Sequence, residues 1–265
     1  MEKLTVVKVG GKIVEDETTL TQLLKDFGEI EGSKVLVHGG GRSATKIAAD
    51  LGIESRMIGG RRVTDTTMLK VVSMVYGGLV NKNIVARLQA NSINALGLTG
   101  ADMNVMRSHK RAPKKVVMED GTEEMVDFGF VGDVDKCDGK MLSNIINNGI
   151  VPVMAPLTHD GNGNLLNTNA DTIAGETAKA LAPYYDVTLM YSFEHAGVLK
   201  DPENEDSVIP LITEKSFKEL KKDGTVNGGM IPKIENALDA VRAGVKQVII
   251  TKADAIDGQH GTVIK

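Results

Sequence analysis

The chain has 265 residues, enough for one large domain or two lobes sharing a core and far more than a small disulfide scaffold needs. Its 42% hydrophobic and 25% charged residues match the usage of folded globular proteins and exclude intrinsic disorder. A net charge of −4, with four Tyr, five Phe and no Trp, argues against a polynucleotide partner, which calls for a basic surface and stacking platforms.

Taken in chain order, short apolar runs alternate with helical patterns. Residues 4–9 predict a first buried strand that ends in Gly10-Gly11, followed by a helix over 18–27. Residues 34–37 predict a second strand that runs into His38-Gly39-Gly40-Gly41, and a helix over 43–51 follows. A long helix over 66–91 carries Val71, Val72, Val75, Leu79, Val80, Ile84 and Leu88 as one broad apolar stripe. After a strand over 93–98, glycines at 100, 121, 129 and 132 break residues 99–135 into expected hairpins. A helix over 140–147 and a strand over 150–154 precede Asp160-Gly-Asn-Gly-Asn164, a strong hairpin turn. The last elements are helices over 171–181, 216–222 and 232–243 and strands over 187–191 and 247–251. Strand and helix alternating in this way predict an α/β fold, a mainly parallel sheet between two helical layers. With no repeat or linker, a soft boundary divides the chain into lobes 1–167 and 168–265.

Strand ends in open α/β sheets are where ligands bind, and two of these strands end in glycine clusters that let a backbone approach an anion. The pattern G-x-x-x-x-G-K-[ST] does not occur, so a P-loop is excluded. Gly39-Gly40-Gly41-Arg42-Ser43-Ala44 fits a dinucleotide fingerprint, but Gly59-Gly60-Arg61-Arg62 stands where the acidic ribose anchor should be. Farther on, 166–171 leads from a hairpin into a helix, with Asp171 read by itself as an N-cap. Segment 228–233 opens another helix. Lys233 there, a cation at the positive end of a helix, points to an anionic ligand.

Together these segments resemble the amino acid kinase family. The matching residues are Lys8-x-Gly10-Gly11, His38-Gly39-Gly40-Gly41, Gly60-x-Arg62-Val63-Thr64, Asn167-x-Asn169-Ala170-Asp171 and Gly228-Gly229-Met230-x-x-Lys233, with Gly129-Phe-Val-Gly-Asp133 and Gly261-Thr-x-Ile264 in support. Arg-Val-Thr combined with Asn-x-Asn-Ala-Asp is similar to the members that act on acylglutamates. The resemblance implies a three-layer αβα sandwich and phosphoryl transfer from ATP, with Mg2+ carried on the phosphates and no protein metal site. The acceptor it implies is the side-chain carboxylate of N-acetyl-L-glutamate, in arginine biosynthesis. It assigns Lys8 and Lys233 to flank the transferred group and Asp171 to hold both ammonium groups. It gives the acylglutamate to Gly40, Gly41, Arg62, Asn167 and Asn169, and the nucleotide to Gly10, Gly11, Phe193, Gly197, Leu199, Thr225, Asn227, Gly229 and Met230. All three of Lys8, Asp171 and Lys233 are present, which argues against a non-catalytic effector-binding module.

Residues 192–199 depart from the family pattern. Arg42 and Arg61, two further cations expected near the pocket, keep N-succinyl-L-glutamate as the alternative acceptor. Arginine-inhibited members carry an additional amino-terminal helix that builds a hexamer. Only seven residues precede Lys8 here, so the expectation is a homodimer joined through 66–91 and insensitive to arginine. Cys137, the single cysteine, reads as a non-catalytic thiol, and His38 as a packed residue beside the glycines. The first residues lack the apolar core of a signal peptide and no run approaches about 18 apolar residues, so the expected compartment is the cytoplasm.

Overall fold

The computed structural model describes residues 1–118 and 121–265. Its main sheet has eight strands in the order Leu211–Ile212, Thr262–Ile264, Gln247–Lys252, Asp186–Phe193, Lys3–Val9, Ser33–His38, Val151–Met154 and Ala95–Leu98. Neighbours are parallel except where Thr262–Ile264 runs against Gln247–Lys252. All six strands expected from sequence are present. The two short strands at one end of the sheet, Leu211–Ile212 and Thr262–Ile264, were not expected, because two or three residues are too few to show a period.

Alternation along the central strands builds one core on each face of the sheet. Leu4, Val6, Val35, Val37, Leu189 and Tyr191 face helices Gly139–Asn147, Ala170–Leu181, Glu214–Lys222 and Met230–Arg242. Val7, Val9, Leu36 and Met190 face helices Glu17–Glu29 and Gly41–Asp50 and the segment from Thr66 to Ala90. The result is the expected three-layer α/β sandwich.

Two features differ from the sequence reading. A short helix, Gly11–Glu15, begins directly after the first glycine turn, and the long helix is continuous but not uniform. Its middle, Ser73–Val80, is a π-helix between the α-helical pieces Thr66–Val72 and Asn81–Ala90. The wider i→i+5 winding shifts the apolar stripe. Leu79, counted in the apolar stripe, is 57% exposed, while Tyr76, on the face of Val72 and Val80, is 5% exposed.

The expected hairpins form a four-stranded sheet, Leu165–Asn167, Leu157–His159, Met106–Lys110 and Gly132–Cys137, and a separate ribbon, Lys114–Val117 with Glu123–Val126. Glu119 and Asp120, inside the expected hairpin region, lie outside the described residues. The layers approach closely at Gly139, where an added Cβ would lie 1.8 Å from the Ala180 carbonyl oxygen. That atom is backbone and cannot rotate away. Gly139→Ala should therefore cost about 1–3 kcal/mol, read as a lower urea midpoint with an unchanged slope.

Candidate active site

The site grows from two neighbouring strand ends. Lys3–Val9 and Ser33–His38 pair with Val9 opposite His38, so their glycine turns emerge side by side. Gly39 donates its N–H to the Val9 carbonyl at 2.8 Å. An added Cβ on Gly39 would approach the Gly11 nitrogen to 3.0 Å, and one on Gly40 would lie 2.8 Å from the Tyr76 ring. Both glycines are required for this close packing. Helices Gly11–Glu15 and Gly41–Asp50 start from the turns, and their first N–H groups have no side-chain cap. Such orphan donors suit an anion.

Fully buried His38 lies beneath the triple glycine. Asn81 Nδ2 donates to its Nε2 at 3.1 Å and to the Val153 carbonyl at 2.9 Å. The proton is thereby fixed on Nδ1, which donates to the Gly39 carbonyl at 2.7 Å. Burial, the largest cause, pushes the His38 pKa down to about 4. This matches its expected role as a packed residue.

Above the glycines lies a cavity of about 230 Å³. It brings together Lys8, Gly11, Gly40, Gly41, Arg62, Asn167, Asn169 and Asp171 from the sequence-derived set. Lys8 Nζ pairs with Asp171 Oδ1 at 2.7 Å, and the lysine side chain is 9% exposed. Asp171 is not the N-cap. Asn169 caps helix Ala170–Leu181 by accepting from the Asp171 N–H at 2.7 Å, which frees the Asp171 carboxylate to face Lys8. Asn167 donates to Thr64 Oγ1 at 2.9 Å.

Arg62 comes from a hairpin, Met57–Ile58 with Arg61–Arg62, closed by Gly59 and Gly60. Both glycines have positive φ, as a two-residue turn of this twist requires. The Arg62 guanidinium is buried and its described partners are all uncharged. It donates to the Gly41 carbonyl and Thr45 Oγ1 at 2.8 Å and to Ser55 Oγ at 2.9 Å. A buried cation with no carboxylate beside it is an incomplete pair. It is ready for an anionic ligand.

Lys233 borders a neighbouring cavity of about 310 Å³ with Phe193, Gly197 and Met230. Its Nζ lies 4.0 Å from the centre of the Phe193 ring, and Lys8 Nζ lies 5.2 Å from the same centre. Burial, partly offset by the Asp171 charge, lowers the Lys233 pKa. The direct ion pair of Asp171 is with Lys8, and its influence on Lys233 is electrostatic. Gly10 caps helix Gly11–Glu15 and Gly229 caps helix Met230–Arg242. Leu199, Thr225, Asn227 and Gly229 do not line the cavity beside Lys233. Leu199 bridges Val208, and Thr225 and Asn227 make local turn contacts with Asp223 and Gly224. The departing 192–199 segment is tied down by Lys12–Glu194 at 3.1 Å and by Val198 N–H donating to Thr262 Oγ1 at 2.8 Å.

A profile of the Amino acid kinase family matches residues 3–252. The chain belongs to that family. It is 65% identical to an acetylglutamate kinase of Bacteroides thetaiotaomicron over 100% of this chain and 99% of the relative. It is 52% identical to an acetylglutamate kinase of Cytophaga hutchinsonii over 97% and 94%. The fold also resembles a carbamate kinase from Giardia lamblia, with TM-score 0.64, 17% identity and coverage of 99% and 98%.

Within this amino acid kinase site, sequence reasoning missed Tyr76, Thr168 and Arg111, all of which line the cavity above the glycines. Tyr76 stands at helical spacing between Val72 and Val80 and could have been read as part of the apolar stripe, whereas Arg111 lies in a hairpin connection of no recognisable pattern. Arg42, expected beside the pocket, does not line it. It is the second residue of helix Gly41–Asp50, about 100° around the axis from Gly41, and is exposed. Arg61 does line the cavity. Burial raises the Cys137 thiol pKa to about 12, in keeping with a non-catalytic cysteine.

His38 makes stability depend on pH in a defined direction. The unfolded chain takes up this proton near the ordinary value of 6.5 and the folded chain only near about 4. Between these values the unfolded state holds more protons, so stability falls as pH drops through the window. The expected loss from this residue is on the order of 3 kcal/mol between pH 7 and pH 4. Urea denaturation at both pH values should show a larger loss in wild type than in His38→Gln; equal losses would refute the assignment.

Proposed function

We propose that this enzyme transfers the γ-phosphoryl group of ATP to the side-chain carboxylate of N-acetyl-L-glutamate, in arginine biosynthesis. The carrying observation is the buried Arg62 guanidinium, without a carboxylate partner, in the same cavity as the Lys8–Asp171 pair. Support for the acetyl acceptor comes from the relatives that share at least half their residues with the chain over nearly its full length. The succinyl alternative draws no support from those names.

A carboxylate with an ordinary pKa near 4.3 is already ionised at neutral pH, so no general base is needed. One of its oxygens attacks the γ-phosphorus. As that bond forms, the bond from phosphorus to the bridging oxygen of the β-phosphate breaks, and ADP leaves with the electron pair. The products are an acyl phosphate and ADP. The protein's task is positioning and charge compensation along an in-line path. Lys8, held by Asp171, and Lys233 flank the moving phosphoryl group from the acceptor and nucleotide sides. N–H groups of Gly11 and Gly41 complete the cradle. Arg62 takes the α-carboxylate with its planar fork, and Gly40, Asn167 and Asn169 hold the rest of the acylglutamate.

The nucleotide lies over Gly10, Gly11, Phe193, Gly197, Leu199, Thr225, Asn227, Gly229 and Met230, with residues 168–265 as the ATP lobe and 1–167 as the acceptor lobe. Among the described residues no group of three or more His, Cys, Asp or Glu could hold a metal ion. Magnesium would therefore ride on the phosphates with water as its remaining ligands. No described helix is long and apolar enough to cross a membrane. The single half-buried cysteine fits a reducing compartment, and we assign the reaction to the cytoplasm.

The working assembly in this reading is a homodimer joined through the Thr66 to Ala90 segment, where Met74 and Leu79 are more than half exposed and apolar. Light scattering should give twice the chain mass, and Leu79→Glu should shift it toward monomer. A monomeric wild type at micromolar concentration would refute this interface.

The function is tested by following ADP release from ATP with N-acetylglutamate, glutamate and aspartate in parallel, with turnover expected only for the first. Lys8→Ala and Lys233→Ala should each lower kcat by about 10² to 10³, the loss expected for one preorganised transition-state donor. Arg62→Lys should mainly raise KM for the acceptor and leave KM for ATP nearly unchanged. Near-normal turnover in a lysine variant would remove that lysine from the mechanism.

A further inference from the structure

The acceptor cavity carries more positive charge than an acetylated glutamate uses. Lys8 has Asp171 and Arg62 awaits the α-carboxylate, yet Arg61 and Arg111 line the same cavity. Arg111 forks onto Asp133 through Nε at 3.1 and 3.0 Å and through Nη2, while its buried Nη1 has no hydrogen-bond partner. Lys114 stands close by, with Lys114 and Arg111 both 5.9 Å from the Phe128 ring centre. Among the described residues no ion pair engages Arg61 or Lys114. The three cations are near enough to act on one another: the Arg61 pKa is lowered by burial and then by Arg111, and that of Lys114 by burial and then by Arg61 and Arg111. One carboxylate, Asp133, therefore faces three cations.

The placement of this cluster follows from the acceptor's covalent geometry. With the side-chain carboxylate at Lys8 and the α-carboxylate at Arg62, the acylated nitrogen leaves from the same carbon as the α-carboxylate. Its acyl group must therefore diverge from both carboxylates, and Met57, Arg61, Arg111 and Val131 line the same cavity without a role in holding either one. Met57 and Val131 suit a short methylene chain. The two arginines suit what stands at its end.

We propose that Arg61 and Arg111 form an anion subsite for the acyl group, and that the enzyme also phosphorylates glutamate N-acylated with a short dicarboxylic acid, such as N-succinyl-L-glutamate. The inference rests on the acylglutamate reading given above. The reaction is unchanged: the glutamate side-chain carboxylate takes the γ-phosphoryl group, ADP leaves, and the distal acyl carboxylate stays bound and unreacted. That carboxylate accepts from Arg61 and from the free Nη1 of Arg111, completing the hydrogen bonding of a buried donor.

The experiment is the ratio of kcat/KM for N-succinyl-L-glutamate to that for N-acetyl-L-glutamate, in wild type, Arg61→Ala and Arg111→Lys. The lysine variant retains a positive charge for Asp133 while removing the fork, and circular dichroism checks that each variant is folded. The wild-type ratio should be one or more and should fall about tenfold or further in Arg61→Ala, with a fall of the same direction in Arg111→Lys. Since both substrates are read on the same protein, a general loss of activity cannot imitate the shift. Turnover of the acetyl substrate with none of the succinyl one, or a ratio unchanged in both variants, overturns the subsite and leaves the kinase reading standing. If neither substrate is phosphorylated, the acylglutamate reading itself fails.

Discussion

Repulsion between two anions governs the layout of this molecule. A carboxylate oxygen has to approach a phosphoryl group that is itself negative, and two like charges 4 Å apart repel by about 4 kcal/mol at the effective dielectric of a partly buried site. Cations are the remedy, but they also repel one another and resist burial. The structure separates these demands. Lys8 is almost buried and is held by Asp171 at 2.7 Å, so its position is fixed at the expense of part of its charge. Arg62 is buried with neutral partners only, so its charge is undiminished and its fork is oriented by the Gly41 carbonyl, Thr45 and Ser55. One cation serves geometry and the other serves attraction.

That arrangement depends on how closely two backbone turns can approach. Side chains on Gly39 or Gly40 would collide with the Gly11 turn or with Tyr76. Tyr76, four residues after Val72 and four before Val80, lies on the buried face of this segment and packs against the glycines. Asn81, directly after the stretch, ties His38 to the Val153 carbonyl, and neutral His38 in turn fixes the Gly39 carbonyl. A buried aromatic ring and a buried polar chain thus support the same turn. The donors of this chain are paired while Asn81 Oδ1 is buried without a hydrogen-bond partner, so part of the network's cost is accepted for the fixed position of the glycine turn.

Much of this was legible in the sequence, and the reasons differ by residue. The six central strands announced themselves as short β-branched runs because both faces of a parallel sheet are buried. Glycine clusters at two strand ends marked the candidate site, and at Gly39 and Gly40 the close approach of neighbouring groups leaves little room for a side chain. Residues whose roles come from tertiary placement were not legible. Arg111 sits in a hairpin connection and meets Arg61 only through folding, while Arg42, next to the motif glycines in sequence, is turned outward by helix geometry. Asp171 read as a cap because a carboxylate before a helical run usually is one, yet Asn169 two residues earlier takes that role. Leu79 fitted the apolar stripe by count and was displaced by winding that leaves no trace in composition.

Phe193 shows how the two cavities share one charge balance. Its ring centre lies 4.0 Å from the Lys233 ammonium and 5.2 Å from that of Lys8, with Tyr191 stacked on it at 5.9 Å. An aromatic face attracts a cation by about 0.5–2 kcal/mol, less than a full counterion but without adding a negative charge. A second carboxylate in its place would hold the lysines more tightly and would then repel the phosphates they are meant to receive. The ring therefore steadies two like charges at close range while leaving the transfer region net positive. Asp171 supplies a negative charge in direct contact with Lys8, while Lys233 feels both Asp171 and Glu194 only at a distance, which fits the proposed placing of the acceptor on the Lys8 side.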